Sequence, residues 1–396
     1  MKLLYVGTYI FNSQNGKVYG LPSSSDAFFE KYLSIFDSVK VLGQEASGYL
    51  NLQEFVPIKN EKIEVSILPR NSSPFEIHND RKIKKILKEE ISKADAILIK
   101  PATRRGVVAV KIAKKLKKPY MIEMTGDIHN ALKQSSNILK KLYAPIIYRK
   151  VKRAISECQY GLYVSESYLQ SKYPISGKMC GCADVILEKS DNAVLQKRFE
   201  KIDNMKNGDT VKLALIGFYQ GNGKGVDIAI RALAQLPENY ELSILGNGTE
   251  KSRNKWYAFA KKLGVNEKRL HFPPTLPSSN EVLMWLDDYD FFVLPTRSEG
   301  FGRCIAEAMS RGCLTLATNI CTIPEMLEDE CMFEMGDYKK IVNILESMVN
   351  DKELMKTTVK KQFEKVQKYD YEALKARRDA FLLDFKNYCN KVNGAN

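Results

Sequence analysis

Short apolar segments alternate with helical patterns along most of the chain, and this alternation limits the folds available to it. The first half contains candidate strands at Leu3–Val6, Val39–Leu42, Val65–Leu68, Ala96–Ile99, Tyr120–Glu123 and Tyr160–Val164. The second half contains further candidates at Leu213–Ile216, Glu241–Leu245, Leu270–Phe272, Phe291–Leu294 and Leu314–Ala317. Because strands separated by helices pair in parallel through right-handed crossovers, the sequence predicts an α/β fold with parallel sheets.

The length of 396 residues exceeds what one ordinary core requires, which favours two domains. We expect a Rossmann-like N-terminal domain over residues 1–190, a polar linker over 191–210 and a second Rossmann-like domain over 211–370. Residues 371–396 are expected to form a helical tail that packs back on the N-terminal domain. The two sheets are expected to face each other across a central cleft. Ligands of such sheets bind beyond the carboxyl ends of the strands, so the loops after strands are candidate sites.

Two glycine-rich turns follow strands of the second half. The first, IGFYQGNGKG, places Gly223, Lys224 and Gly225 directly before a helical pattern. Backbone N–H groups at a helix start, the helix dipole and a lysine together favour a phosphate group. A glycine stands where the Walker A motif needs Ser or Thr, which argues against ATP or GTP hydrolysis. The second turn, from Gly246 to Gly248, offers small residues against which a base or ribose can lie flat.

The segment RSEGFGRCIAEAMSRG places Glu299 in a glycine-punctuated loop and Glu307 in the helical pattern behind it. The neighbouring glycines allow the backbone amides of Phe301, Gly302 and Arg303 to point in one direction, which suits a diphosphate or a sugar hydroxyl. A carboxylate one to two turns into the helix accepts hydrogen bonds, and the paired hydroxyls of a ribose suit it.

Together these motifs resemble a known enzyme family. The E-x(7)-E pair, the Lys224-Gly225 turn, the Gly246-x-Gly248 turn and the downstream NICTIPEML are similar to the retaining family 4 glycosyltransferases of the bacterial surface-polysaccharide type. That family has the two-Rossmann GT-B fold. The resemblance is clear over residues 211–351, and the upstream segment KKPYMIEMTGDIH resembles the acceptor-side loop of the family's N-terminal domain.

The resemblance implies a role for each candidate residue. Glu307 would hold the ribose of the nucleotide, Glu299 the hydroxyls of the transferred sugar, and Lys224 would neutralise the departing diphosphate. The amides of residues 301–303 would support sugar and phosphate, and His129 or Asp127 would contact the donor sugar from the opposite domain.

The implied reaction is transfer of a hexose with retention from a nucleotide-diphosphate sugar, UDP-linked in preference to GDP-linked. The implied acceptor is a glycan or a lipid-linked glycan in lipopolysaccharide or capsule synthesis. One departure concerns the phosphate site: Phe218 and Tyr219 stand where the family usually has an arginine, and Arg303 is a candidate substitute.

Neither a metal ion nor another cofactor is expected. Three histidines are too few for a convincing zinc site, and the eight cysteines form no C-x-x-C pairs. The segment Asp288-Tyr289-Asp290 matches the metal-binding D-x-D pattern of the other main glycosyltransferase fold, but it directly precedes a buried strand.

The formal net charge of +14 suits a nucleic acid, an anionic membrane or a polyanionic substrate. Basic residues concentrate in the first half, and LKKLYAPIIYRKVKRAIS interleaves them with apolar residues. This segment is either a membrane-interface helix or an amphipathic helix packed on its own domain, and Pro145 is expected to kink or restart it. We expect a cytoplasmic protein, with peripheral binding to the inner face of the plasma membrane as one alternative.

Two rival interpretations remain open at this point. A nucleic-acid-binding protein would explain the charge, but the basic runs lack stacked aromatic platforms and the glycine turns would have no role, so no nucleic-acid partner is expected. A different two-Rossmann enzyme, such as a nucleotide-sugar epimerase, would use the same donor without forming an acceptor product.

Overall fold

A computed structural model describes residues 1–46, 55–71, 74–135 and 137–394. The chain divides into two α/β units, one formed by Met1–Ala183 with Leu374–Asn396 and the other by Asp184–Ala373. No helix in the described ranges combines the length and the apolarity needed to cross a bilayer.

The first unit is built on a sheet whose described strands are β1 (Lys2–Gln14), β2 (Lys17–Gly20), β3 (Ser38–Glu45), β4 (Val56–Pro57), β5 (Ile63–Leu68), β6 (Ala96–Ile99), β7 (Tyr120–Met124), β8 (Tyr160–Tyr163) and β9 (Lys178–Gly181). Strands β5-β3-β1-β6-β7-β8-β9 lie side by side in parallel. Strand β2 turns back antiparallel on the end of β1, and β4 pairs with β2. The order of the parallel strands reverses between the neighbouring strands β1 and β6. The crevice at the carboxyl ends of these two strands is therefore a topological switch point.

Helices of the first unit connect these strands: α1 (Asp26–Leu33), α2 (Asp80–Lys93), α3 (Arg104–Lys115), α4 (Ile128–Lys133), α5 (Ile138–Ile155) and α6 (Tyr168–Lys172). Every residue of β6 is buried, as expected for a central parallel strand covered on both faces. Side-chain caps begin three of the helices, with Thr103, Asp127 and Asn137 each accepting a bond from a first-turn amide.

The second unit repeats this architecture with six parallel strands among its described residues: β10 (Val211–Ile216), β11 (Tyr240–Leu245), β12 (Leu270–His271), β13 (Phe291–Leu294), β14 (Leu314–Thr318) and β15 (Met332–Phe333). Their spatial order is β12-β11-β10-β13-β14-β15, so the order reverses between β10 and β13. Its helices are α7 (Asn192–Asn204), α8 (Val226–Leu233), α9 (Glu250–Lys262), α10 (Ser279–Asp287), α11 (Arg303–Ser310), α12 (Tyr338–Asn350) and α13 (Lys352–Val366). The prediction of an α/β fold with two parallel sheets is confirmed.

The segment interpreted from sequence as a linker, 191–210, contains helix α7, which packs within the second unit. The Arg198 guanidinium donates hydrogen bonds to the carbonyl groups of Leu286 and Tyr289, and Ile202 is buried. A buried arginine that binds backbone carbonyls leaves no apolar periodicity in the sequence, and this is why the segment resembled a linker.

The last helix, α14 (Tyr371–Gly394), belongs to the first unit from Leu374 onward. Its buried side chains include Leu382 and Phe385, and the ring of Tyr160 on β8 lies 5.4 Å from that of Phe385. The Tyr160 hydroxyl also donates a hydrogen bond of 3.1 Å to Asp384. The C-terminal helix therefore completes the core of the first unit.

Helix α5 runs without interruption through Pro145, in contrast to the kink or restart expected from sequence. Pro145 is exposed. Pro145 has no N–H to donate to the carbonyl of Lys141, but both residues are on the solvent side, where water can hydrate that carbonyl, so the helix continues.

Candidate active site

The carboxyl ends of β10 and β13 lie at the switch point of the second sheet, the position at which open α/β sheets bind ligands. The glycine turn with Lys224 follows β10, and the loop with Glu299 follows β13. Lys224 Nζ lies 2.6 Å from Glu299 Oε2. The fold thus brings together two candidate residues that are 75 positions apart in sequence.

The ion pair is partly shielded from water, since the side chains of Lys224 and Glu299 are 25% and 13% exposed. Burial disfavours the charged lysine, but the Glu299 carboxylate outweighs it and raises the pKa of Lys224. Burial also raises the pKa of the neighbouring Cys304 thiol to about 12. Near neutral pH the site therefore contains a cationic lysine, a glutamate that accepts its hydrogen bond, and a neutral thiol.

Glu307 lies on α11, four residues after the first helical residue Arg303. Its side chain is half-buried, and burial raises the pKa of its carboxyl even though the Arg303 charge acts in the opposite direction. With the described residues the Glu307 carboxylate makes no hydrogen bond or ion pair. Buried polar groups normally have a partner, so this carboxylate is an available acceptor for one.

The loop between Glu299 and α11 is held by the protein itself. Gly302 has a left-handed backbone (φ +87°) and stands at the N-cap of α11. The Thr322 hydroxyl lies within hydrogen-bonding distance of the carbonyls of Gly300 (2.9 Å) and Phe301 (3.3 Å). The amides of Phe301, Gly302 and Arg303 are located at the helix start, where first-turn N–H groups have no acceptor within the helix.

Glycines allow the three loops after β10, β11 and β13 to pack against one another. A Cβ on Gly225 (φ +72°) would lie 1.8 Å from the carbonyl oxygen of Pro295. A Cβ on Gly246 would lie 2.3 Å from the carbonyl oxygen of Gly217. Both distances are shorter than any real contact, so these two candidate glycines are required by loop–loop packing.

Gly248 and Gly223 occupy different environments in the same loops. Gly248 packs against the ring of Tyr219, which is buried. The space around the Gly223 Cα is open, and its carbonyl accepts a 2.8 Å hydrogen bond from the Arg297 amide. The Arg297 guanidinium in turn binds both carboxylate oxygens of Asp227 on α8, at 2.8 and 2.7 Å. This bidentate pair ties the two loops together, and no sequence motif marks it.

The position of the usual phosphate-binding arginine is occupied by an exposed aromatic residue. Phe218 is 66% exposed at the start of the glycine turn, whereas Tyr219 is buried. Arg303, the candidate substitute, is exposed on the first residue of α11 and is close enough to act on the Glu307 carboxyl.

In the first unit, the candidate Asp127 is buried and fully engaged by the protein. Its carboxylate accepts hydrogen bonds from the His129 amide (3.0 Å), the Tyr168 hydroxyl (2.8 Å), the Tyr173 hydroxyl (2.6 Å) and the Lys172 ammonium group. Burial would raise the pKa of Asp127, but these donors outweigh it and lower the pKa. The geometry fits a positioning residue that fixes the start of α4.

The candidate His129 is half-buried, with its ring 5.3 Å from that of Tyr148 on α5. Its imidazole makes no hydrogen bond to the part of the chain that the structure describes. The ring is therefore available to an external partner, while Asp127 holds its backbone.

A second polar cluster lies at the switch point of the first sheet and has no local sequence signature. Lys100, directly after β6, donates a 2.7 Å hydrogen bond to the Tyr9 hydroxyl and lies 3.6 Å from Glu123. Glu123 on β7 also accepts hydrogen bonds from the hydroxyls of Tyr5 (2.6 Å) and Tyr32 (2.9 Å). Burial, reinforced by the Glu123 charge, raises the pKa of Tyr5.

The D-x-D segment has a structural role. Asp290 lies 2.9 Å from Lys201 Nζ and accepts a 2.8 Å hydrogen bond from the Lys212 amide. Over the described residues, no three histidine, cysteine, aspartate or glutamate side chains gather in a way that could hold a metal ion.

Residues 210–351 match the family model "Glycosyl transferases group 1". Protein CapJ of Staphylococcus aureus is 27% identical over 395 residues, which span 98% of this chain and 97% of CapJ. The Escherichia coli O-antigen biosynthesis glycosyltransferase WclY is 28% identical over 123 residues, 31% of this chain and 33% of WclY. Among solved structures, Anabaena Alr3699/HepE in complex with UDP superposes with a TM-score of 0.64 at 14% identity over the whole of both chains. The same protein has also been solved with UDP-glucose.

The fold, the switch-point site and these matches define the class of protein. The chain is a glycosyltransferase with the GT-B fold, and its residues 210–351 match the group 1 (family 4) glycosyltransferases. It is an enzyme of the retaining hexosyltransferase type.

Proposed function

We propose that this glycosyltransferase moves a hexose from a nucleoside-diphosphate sugar to a glycan or lipid-linked acceptor during synthesis of a cell-surface polysaccharide. A UDP-linked donor is preferred to a GDP-linked one, since the Anabaena structural relative has been solved with UDP and with UDP-glucose. The name of the E. coli relative supports an O-antigen-type acceptor.

The observation that carries this proposal is the Lys224–Glu299 ion pair at one switch point, with Glu307 close by and making no hydrogen bond or ion pair to the described residues. Lys224 and the amides of residues 301–303 provide positive charge for a diphosphate. Glu307 provides an acceptor for the two ribose hydroxyls. Glu299 is released from Lys224 when the diphosphate arrives, and it then accepts hydrogen bonds from the transferred sugar.

The reaction breaks the bond between the sugar C1 and the β-phosphate oxygen, so negative charge grows on the diphosphate as C1 becomes oxocarbenium-like. Lys224 and the α11 amides stabilise that charge in the transition state. The acceptor hydroxyl attacks C1 from the face that the diphosphate leaves, and its proton passes to the departing phosphate oxygen. The new glycosidic bond retains the configuration at C1, and no metal ion is required because lysine and helix amides supply the charge.

We assign acceptor binding to the first unit, where the switch point between β1 and β6 carries the Lys100–Glu123 cluster. For the donor sugar we keep the role that the resemblance implies for His129: its ring, which makes no hydrogen bond to the described residues, binds a hydroxyl of that sugar, and Asp127 holds the His129 backbone amide. The basic helices of this unit favour an acceptor presented at an anionic membrane surface on the cytoplasmic side.

The test begins with a screen of nucleotide sugars for thermal stabilisation of the protein. The best donor is then incubated with and without acceptor glycans, and the anomeric configuration of the product is read by NMR. We expect a UDP-sugar to stabilise the protein, a product with retained configuration, and unchanged activity in EDTA. Interconversion of the donor sugar without an acceptor product would instead support the epimerase interpretation, and inversion at C1 would contradict the mechanism.

A further inference from the structure

Helix α5 of the first unit carries an exposed apolar surface that its own domain does not use. Its buried side is formed by Ala144, Ile147, Val151, Ala154 and Ile155. The opposite side of its first turns carries four large apolar residues with high exposure: Ile138 (64%), Leu139 (69%), Leu142 (65%) and Ile146 (46%). At 100° per residue these four project within one sector of the helix. We call them the α5 apolar patch.

The same outward side becomes basic further along the helix. Arg149 and Arg153 continue the sector of the patch, and Lys141, Lys150 and Lys152 flank it, all of them exposed. The sequence of α5 contains six lysines and arginines and no acidic residue. Four neighbouring exposed apolar side chains beside so many cations are unusual for a surface that faces only water.

We propose that the α5 apolar patch inserts into the headgroup region of a bilayer that contains anionic lipids, with Arg149 and Arg153 bound to lipid phosphates. An amphipathic helix with large apolar residues and surrounding cations has the chemistry of an interfacial helix. A nucleic acid would use the cations and leave the apolar patch exposed, and a second copy of this chain would bring two strongly basic helices together. The proposal rests on the proposed function, because binding to the bilayer would bring the enzyme to a lipid-linked acceptor.

The first test measures co-sedimentation of the full-length protein with vesicles of phosphatidylcholine alone or mixed with phosphatidylglycerol. We expect binding only to the mixed vesicles, and a loss on the order of tenfold in the double variant Leu139→Gln/Leu142→Gln. The double variant Arg149→Gln/Arg153→Gln should lose about fivefold per charge. Met284→Gln, which changes a residue 68% exposed in the second unit, is the matched control and should bind like the wild type.

A second measurement separates insertion from simple attraction of charge. The chain contains two tryptophans, Trp256 and Trp285, both in the second unit. The variant Leu142→Trp therefore places in the first unit a tryptophan whose fluorescence reports on the surroundings of the α5 apolar patch. Its fluorescence should shift to the blue and be quenched by brominated lipids on addition of mixed vesicles.

Binding that salt abolishes and that Leu139→Gln/Leu142→Gln leaves unchanged would overturn insertion, as would an unshifted Leu142→Trp spectrum. A dimer in solution that this double variant dissociates would assign the patch to a second copy and also overturn the proposal. Hydrolysis of the donor sugar without acceptor should be unchanged in the patch variants. Failure of membrane binding is thereby distinguished from failure of the proposed enzymatic function.

Discussion

Glu307 is partly buried and makes no side-chain hydrogen bond among the described residues. This combination should make the affinity for a nucleotide depend on pH. Because burial raises the pKa of its carboxyl, Glu307 takes up a proton at higher pH than an ordinary glutamate. The protonated acid accepts hydrogen bonds from ribose hydroxyls poorly. We therefore expect the affinity for UDP to fall on acidification at a higher pH than an ordinary glutamate would cause, and Glu307→Gln to remove this part of the pH dependence while the titration of the UDP phosphate remains. Calorimetric titration across the acid range checks it; parallel profiles for both proteins would contradict the role of Glu307.

Lys224 is proposed to stabilise the negative charge on the leaving diphosphate, which is largest in the transition state. Removing the lysine should therefore affect turnover more than donor affinity. For Lys224→Ala we expect kcat to fall on the order of 10²–10³-fold with a smaller change in KM. Lys212→Ala is a suitable control, because Lys212 is an exposed lysine in the strand that leads to the same turn. Steady-state kinetics with the preferred donor decide the matter: equal kcat values for Lys224→Ala and the wild type would exclude Lys224 from the reaction.

Asp127 should matter for the stability of the first unit. Its pKa is lowered in the folded protein, so its stabilising contribution is present at neutral pH and is lost as pH falls through the folded pKa. Asp127→Asn keeps the shape but removes the charge that Lys172 and the tyrosines bind. We expect a loss of about 1–3 kcal/mol in the free energy of unfolding near neutral pH, shrinking in acid. Urea denaturation at several pH values measures it, and a constant difference would indicate another cause.

At the scale of elements, the active-site loops depend on backbone contacts that only glycine permits. Gly225→Ala would combine a left-handed φ with a Cβ overlapping the Pro295 carbonyl, so we expect a loss of at least about 2 kcal/mol in stability. Gly221 in the same turn has open space around its Cα, and Gly221→Ala should stay within about 0.5 kcal/mol of the wild type. Thermal unfolding of both variants makes the comparison. Equal effects would show that the loop contact does not constrain the turn.

Strands of this fold were predictable where both faces are buried, because β6 and β13 form uninterrupted apolar runs. The extension of the first strand was not. Strand β1 continues to Gln14 and turns back into β2 through Asn15-Gly16, both with positive φ. An Asn-Gly pair is a strong hairpin signal, so this turn could have been predicted from the sequence.

The candidate site likewise has a part that the sequence predicts and a part that it does not. Motif spacing indicated Lys224, Glu299 and Glu307, because local sequence determines a strand, a turn and a helix start. The partners of Asp127 and the Arg297–Asp227 pair could not be predicted, since they come from segments far apart in sequence or from residues without a motif. Tertiary contacts of this kind follow from how the helices pack on the sheet.

For the whole molecule, both sheets contain the same order of six parallel strands around a reversal, counted from β5 to β8 in the first sheet and from β12 to β15 in the second. Each unit thus has one switch point with polar side chains at its carboxyl edge. We assign the donor to the second switch point because it combines a cation, helix-start amides and the Glu307 carboxylate, which makes no hydrogen bond or ion pair within the described part of the chain. The first switch point carries a buried acid–tyrosine–lysine cluster, which we assign to the acceptor side.

The most direct test of the donor assignment is the affinity for UDP of the wild type, Glu307→Ala and the control Glu353→Ala, measured by calorimetry at neutral pH. Glu353 is 83% exposed in the same unit. We predict that the wild type and Glu353→Ala bind UDP equally, while Glu307→Ala binds it about 10–100-fold more weakly, the effect of losing hydrogen bonds to a charged group. Equal affinity in all three proteins, or no binding of UDP to the wild type, would contradict the assignment of this site to the nucleotide sugar.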